Sequence, residues 1–268
     1  MTHEMRGYPL AAAVSPRLHV MDAVDSTNAK LARDAQDDPD GHPHLSVVLT
    51  HDQRAGRGRL DRTWTTPPGS AIAVSVLLRV GAVAPADRGW IPLLAGVAMA
   101  EAVAAQLGGL EVTVKWPNDV LVEGRKISGI LAEVLPGDPH TVVLGAGVNT
   151  AMTAEQLPVP TATSFAALGR DCRDDRLLEG FLTGLRDRIA ALAVGGGAAV
   201  AAGVAARCAT LGSEVVVSLP GGASLRGVAR RLDEAGRLVV EARGGEADGG
   251  ETGGVETVVG AGDVVHVR

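Results

Sequence analysis

The chain has 268 residues, enough for one large domain or for a medium domain with a small one. Hydrophobic residues make up 46% of it and exclude a disordered chain, while aromatics at 2% leave the core to Val, Leu, Ile and Ala. A net charge of −6 excludes nucleic-acid binding through overall charge, so any work on anions must come from a local positive cluster.

Residues 1–20 predict a tail or a first edge strand. Tyr8 to Val14, after Arg6, sits at the short limit of a signal-peptide core, about seven residues, and no signal is expected. Asp25-Ser26-Thr27-Asn28 then offers side-chain oxygens to the free N–H groups of a helix predicted over Ala29 to Gln36. Pro39, Gly41 and Pro43 mark a loop, and His42-Pro43-His44 has no third ligand nearby to make a metal site. Ser46 to Thr50 predicts a strand, followed by a basic, glycine-bearing loop through Trp64, and Ala71 to Arg79 predicts the next strand. Trp90 to Leu107 is apolar on nearly every side and predicts a buried helix.

Val112 to Trp116 predicts a strand, Pro117-Asn118-Asp119 a turn, and Leu121-Val122 the first arm of a hairpin turning at Glu123-Gly124-Arg125. Lys126 to Val134 is its second arm and Thr141 to Val148 a further strand. From Thr161 the pattern becomes helical, clearest in Asp174 to Leu192, and Val194 to Gly203 reads as a linker or a weak helix start. No charge-free run of 18 apolar residues is read from the chain, so no membrane span is expected. After Ser213, short β-type runs (Glu214 to Leu219, Ser224 to Leu232, Gly236 to Ala242, Val255 to Arg268) alternate with Gly-rich turns and predict a small all-β barrel. The expected architecture is α+β: a mixed sheet with flanking helices over residues 1–210, then a β module over 211–268. Cys172 and Cys208 have no metal-type spacing and form no disulfide framework, so a reducing compartment, the cytoplasm, is expected.

Chemistry concentrates in three segments. Arg57, Arg59 and Arg62 fall within six residues, interleaved with Gly56 and Gly58. Glycines let backbone N–H groups turn toward an anion and arginines supply bidentate donors for phosphate or carboxylate. A solvated basic loop, or one touching RNA, is the competing reading of that segment alone. The second segment is Lys115-Trp116-Pro117-Asn118-Asp119 with Arg125-Lys126-Ile127-Ser128-Gly129-Ile130-Leu131. Lysine is scarce, at Lys30, Lys115 and Lys126 against 22 arginines, and Lys126 opens an apolar strand, where it either snorkels to water or faces a cavity. The third is Gly145-Ala146-Gly147-Val148-Asn149, which lacks the third glycine of a dinucleotide fingerprint, having Thr150 there. Neither a phosphate-binding P-loop nor a G-x-S-x-G elbow occurs.

In order, Ser26-Thr27-Asn28, Gln53-x-Ala55-Gly56-Arg57-Gly58-Arg59, Lys115 to Asp119, Arg125 to Leu131 and Gly145 to Asn149 resemble the bacterial biotin protein ligases. The match is collinear over about 22–150, and the ending Gly260-x-Gly262-Asp263-Val264-Val265-His266-Val267-Arg268 is similar to the close of that family's SH3-like module. The resemblance implies a class II synthetase-like catalytic domain that activates biotin with ATP and Mg²⁺ and transfers it to a lysine of the biotin carboxyl carrier protein or domain of an acyl-CoA carboxylase. It implies that Ser26, Thr27 and Gln53 grip biotin with Asn28 close by, and that Arg57, Gly58 and Arg59 cover the adenylate with Arg62 beside them. Trp64 would stack on adenine, Lys126 contact the reacting carboxylate and α-phosphate, and Asn118, Gly129 and Asn149 line the nucleotide side. Lys115 and Asp119 would support phosphate and Mg²⁺, with no metal site made by protein groups alone.

The loop departs from the family at Asp61, where a glycine is common, which alters backbone freedom and local charge. The Ser-Thr-Asn motif arrives at Ser26, leaving no room for the N-terminal DNA-binding unit of some relatives, so no DNA binding is expected. Oligomeric state stays open, a homodimer included. Lipoate-protein ligase is the nearest enzyme alternative, and a nucleic-acid-binding module built on the Arg-Gly loop is the non-enzyme one.

Overall fold

The computed structural model describes residues 7–60, 62–219, 223–242, 255–260 and 262–267. The first half of the chain runs α1 (Pro9–Val14), β1 (Leu18–Met21), α2 (Thr27–Asp37), β2 (Val47–Thr50), β3 (Gly56–Arg57), β4 (Thr63–Trp64), β5 (Ala71–Arg79) and α3 (Ile91–Ala104). Then come β6 (Val112–Lys115), β7 (Asp119–Val122), β8 (Arg125–Leu135), β9 (Asp138–Asn149) and α4 (Asp174–Ala205).

Seven strands form one sheet in the order β1-β2-β5-β9-β8-β7-β6. The sheet is mixed because β1 and β2 run parallel, the connection between them passing through α2, while the remaining neighbours are antiparallel. Strand alternation divides the core between two faces. Val47, Leu49, Ile72, Val74, Val76 and Leu78 belong to the large cluster with α3 and α4; Val48, Leu77 and Val143 face α2 through Leu31 and Ala35. With apolar layers on both faces, β5 is buried at eight consecutive positions, which is why its sequence is an apolar run interrupted only by Ser75 before Arg79.

A second sheet is antiparallel throughout, in the order β13-β12-β11-β10-β14, from β10 (Glu214–Ser218), β11 (Ser224–Leu232), β12 (Leu238–Ala242), β13 (Val255–Val259) and β14 (Asp263–His266). It docks through the turn between β11 and β12. Trp90 Nε1 donates to Glu234 O at 2.8 Å and Trp116 Nε1 to Gly236 O at 3.1 Å. Gly236 has φ 77°, and a side chain there would press on the Trp90 ring. Both indoles are nearly fully buried, at 1% and 2% exposure, so each ring needs the acceptor that this turn supplies.

Several expectations are corrected. The first edge strand expected within 1–20 is β1, at the edge of the seven-stranded sheet, but helix α1 precedes it; residues 1–6 lie outside the described residues. Asp175 accepts from the N–H groups of Leu10 and Ala11 and so anchors the start of α1. The hairpin turn is Glu123-Gly124, both left-handed at φ 48° and 70°, so Arg125 already belongs to β8. Helix does not begin at Thr161: that stretch crosses back to bridge Lys126 at Ala162, and only a short 3-10 turn, Ala166–Leu168, precedes α4. The Val194 to Gly203 stretch is not a linker: α4 breaks at Gly196 (φ 61°, ψ −164°) and its second part starts there, which agrees with the helix-start reading. α4 also contains a window apolar and charge-poor enough, by length and composition, to cross a membrane, against the sequence expectation. Within that window Ile189, Leu192, Val200 and Val204 pack in the main core. The run from Val255 is two strands, not one.

Candidate functional site

A cleft with about 900 Å³ of empty space, part of it open to solvent, lies between the sheet and the short β3–β4 ribbon. Its wall includes Ser26, Thr27, Asn28, Gln53, Arg57, Gly58, Arg59, Arg62, Trp64, Asn118, Asp119, Lys126 and Gly129. Residues 26 and 129, far apart in sequence, therefore share one space. Two residues singled out from the sequence are not in the wall. Lys115 ends β6 opposite Asp119, and Asn149 ends β9, nearly buried at 8% exposure, with its side-chain amide donating to Thr163 O at 2.9 Å.

The floor of the cleft is a fixed polar chain. Ser26 caps α2, its Oγ accepting from Ala29 N at 3.4 Å. Thr27 N and Oγ1 both reach Gln53 Oε1, at 2.8 and 3.0 Å. Buried Ser75 on β5 lies 2.8 Å from Thr27 Oγ1 and 2.5 Å from Asn28 Oδ1. Asn28 Nδ2 donates to Glu133 Oε2 at 2.8 Å. Two glycines of β9 make room for this arrangement. A Cβ on Gly145 would stand 2.4 Å from Asn28 Oδ1, and one on Gly147 would stand 2.7 Å from the Trp64 ring. Sequence reading marked Gly145-x-Gly147 without a physical reason; close approach is the reason.

The roof carries the positive charge. Lys126 Nζ is 2.5 Å from Asp119 Oδ1 across the β7–β8 pair. Arg57 Nη2 is 3.0 Å from Glu133 Oε1, and Arg62 Nη2 is 2.5 Å from Asp263 Oδ2. Arg59 differs: it donates to Asn118 Oδ1 at 3.3 Å and to Gly262 O at 3.4 Å, and pairs with no carboxylate among the described residues. Burial holds its guanidinium below the usual arginine range, against the nearby charges of Asp119 and Asp263. Asp263 is raised by burial, but the Arg62 hydrogen bond and the charges of Arg62, Lys115 and Lys126 outweigh that and hold its carboxyl below the usual value.

Sequence reading missed Ser75, Glu133 and Asp263. Ser75 is a lone polar residue within the apolar part of β5, and Glu133 a lone charge within Ile130–Leu135 of β8, which is the signal they carry. Asp263 sits on the β module, where no anion-site residue was expected, yet both Gly262 and Asp263 line the cleft. Asp61 lies outside the described residues. Among the described residues no group of three or more His, Cys, Asp or Glu could hold a metal ion.

Residues 20–149 match the sequence model of the biotin/lipoate A/B protein ligase family. The biotin--[acetyl-CoA-carboxylase] ligase of Mycobacterium tuberculosis is 40% identical over 257 residues, covering 94% of this chain and 90% of the relative. The chain belongs to the biotin/lipoate A/B protein ligase family. A second relative in this family, the biotin--[acetyl-CoA-carboxylase] ligase of Paracoccus denitrificans, is 31% identical over 230 residues, covering 83% of this chain and 93% of that one. The fold is that of the biotin protein ligase from Aquifex aeolicus in complex with biotin and ATP, with a TM-score of 0.73 at 22% identity over 93% of this chain and 99% of the other. That likeness spans both sheets, so the mixed sheet with its helices and the small β module follow the family's architecture.

Proposed function

We propose that this chain joins biotin to ATP, giving biotinyl-5′-AMP and pyrophosphate, and then transfers the biotinyl group to a lysine of the biotin carboxyl carrier protein or domain of an acyl-CoA carboxylase. The observation that carries this reading is the meeting of a fixed polar floor (Ser26, Thr27, Gln53) with Arg57, Arg59 and Lys126 in one cleft. The names of the mycobacterial and Paracoccus relatives support the same acceptor class.

The first step brings a carboxylate and a phosphate to bonding distance. At ~4 Å and an effective dielectric of about 20 one pair of unit charges repels by roughly 4 kcal/mol. Arg59 is the group suited to offset this, because it is desolvated and pairs with no carboxylate among the described residues. Lys126 and Arg57 are held close to their places by Asp119 and Glu133 until an anion takes them over. Mg²⁺ would enter on the phosphates of ATP, with Asp119 as the neighbouring carboxylate; it would screen the charge that builds on the phosphoryl oxygens. Trp64, its ring over Gly147, would offer its other face to adenine, and Asn118 and Gly129 would complete that side, with Asn149 and Lys115 behind them.

In the second step the amine of the acceptor lysine attacks the anhydride carbonyl. The C–N bond forms, the bond to AMP breaks, and the amine loses its proton; no enzyme nucleophile takes part. Water would destroy the anhydride, so the arginine ribbon has to close over it. We assign residues 1–210 to the chemistry and 211–268 to a module that steadies the closed ribbon through Gly262 and Asp263. The test is biotin-dependent exchange of labelled pyrophosphate into ATP, with lipoate as control. Exchange that depends on lipoate and ignores biotin would overturn the reading.

A further inference from the structure

Glu133 lies outside the cleft wall, two residues beyond Leu131 on β8, yet it holds two residues of the biotin side at once. Its carboxylate oxygens are 3.0 and 3.1 Å from Arg57 Nη2, and Oε2 also accepts from Asn28 Nδ2 at 2.8 Å. The two partners need different things. Asn28 needs only an acceptor, since Ser75 fixes its other end. Arg57 needs an anion: its side chain is 55% exposed, and Glu133 is its carboxylate partner among the described residues.

The two sides of this pair also differ in freedom. Glu133 pairs in register with Val143 in the long β8–β9 ladder. Arg57 rides on a ribbon with only two residues in each arm. The carboxylate is therefore stationary and the arginine sits on the part that has to move for a ligand to enter.

Resting on the biotin reading above, we propose that Glu133 is the resident counter-ion of Arg57, a positioning residue that docks the arginine on β8 in the empty site and yields it to the carboxylate of biotin. One carboxylate replaces another, so Arg57 is paired before and after binding while Asn28 keeps its acceptor. The consequence is competition. Glu133 opposes the binding of a ligand carboxylate by the strength of a half-exposed ion pair, worth up to about fivefold in affinity.

Glu133→Gln keeps the shape and the acceptor for Asn28 and removes the charge. Calorimetric titration of the whole chain with biotin and with biotin methyl ester separates the roles. The variant is expected to bind biotin about threefold to fivefold more tightly than wild type does, with the ester unchanged, and the difference should fade in about 1 M salt. Glu133→Ala, which also strips Asn28 of its closer acceptor and leaves it Leu131 O at 3.4 Å, should weaken both ligands relative to Glu133→Gln but keep the same biotin-to-ester ratio. Equal shifts for both ligands, no shift at all, or a wild-type ratio in the alanine variant would overturn the counter-ion role. Failure of wild type to bind either ligand would overturn the functional reading, and this role with it.

Discussion

Two of the contacts between the small β sheet and the larger body, among the described residues, work by different physics. At the tryptophan socket, Trp90 and Trp116 are buried and donate to backbone carbonyls of Glu234 and Gly236. At the arginine ribbon, Arg59 and Arg62 reach Gly262 O and Asp263 across a cleft open to water. Buried rings with satisfied N–H groups hold the module in place, whereas exposed ion pairs are individually weak and exchange readily with a ligand. The difference teaches that attachment and closure are separable: one contact fixes where the module sits, and the other sets how firmly the cleft is covered.

The largest expected effect breaks attachment. Trp90→Ala removes a buried ring and leaves Glu234 O without its donor, so unfolding stability should fall by about 3–5 kcal/mol. Urea denaturation measures it, and an unchanged midpoint would mean that the module is held elsewhere. Next comes Arg59→Ala, which removes a cleft cation that has no carboxylate partner among the described residues. It should slow pyrophosphate exchange by about 10²–10³-fold, the scale of losing one preorganised charge at a reacting oxyanion, while the urea midpoint moves little. A matching loss of stability would erase the distinction drawn here.

A smaller effect sharpens the closure side. Asp263→Asn releases Arg62 from a pair with exposed members, worth at most about 1 kcal/mol. The expected result is a severalfold higher KM for ATP at low salt that converges on wild type at high salt. A salt-independent defect would show that Asp263 acts through packing.

The smallest effect is a pH dependence on the attachment side. Thr210 Oγ1 accepts from Trp116 N at 2.9 Å and lies 3.1 Å from His266 Nε2, which ties this histidine to the larger body. Burial, with the charge of Lys115, holds His266 below its ordinary value of 6.5. A depressed value means that the folded state favours neutral histidine. Its stabilisation is complete above pH 6.5 and is lost as pH falls from there through the lower folded value. Thermal unfolding should show a shallow decline below that pH, reduced in His266→Gln. Because His44 is lowered too, by burial and Arg79, some decline should persist in that variant.

Much of this molecule was legible locally. Ser26 at a helix start, the apolar run of β5, the hairpin after Asp119 and the clustered arginines each follow from short-range chemistry: a cap, a doubly covered strand, a tight turn, a demand for anions. Other features were out of reach for identifiable reasons. Gly196 breaks α4 inside a stretch of Gly, Ala and Val whose composition fits linker and helix equally, and burial of Gly197 and Val200 decided between them. Ser75 and Glu133 look like ordinary polar strand residues until pairing places them beside Asn28 and Arg57.

By itself, then, the sequence determined most of the strands and helices, the positive loop and the family, because periodicity, caps and collinear motifs are properties of neighbouring residues. Only the tertiary structure decided which carboxylate each cation rests on, that Gly145 and Gly147 yield space to Asn28 and Trp64, and that Asp263 closes over a cleft built some two hundred residues earlier. Those outcomes depend on strand register and on how two sheets dock, and a register is fixed by the summed burial of whole faces rather than by any one residue in them.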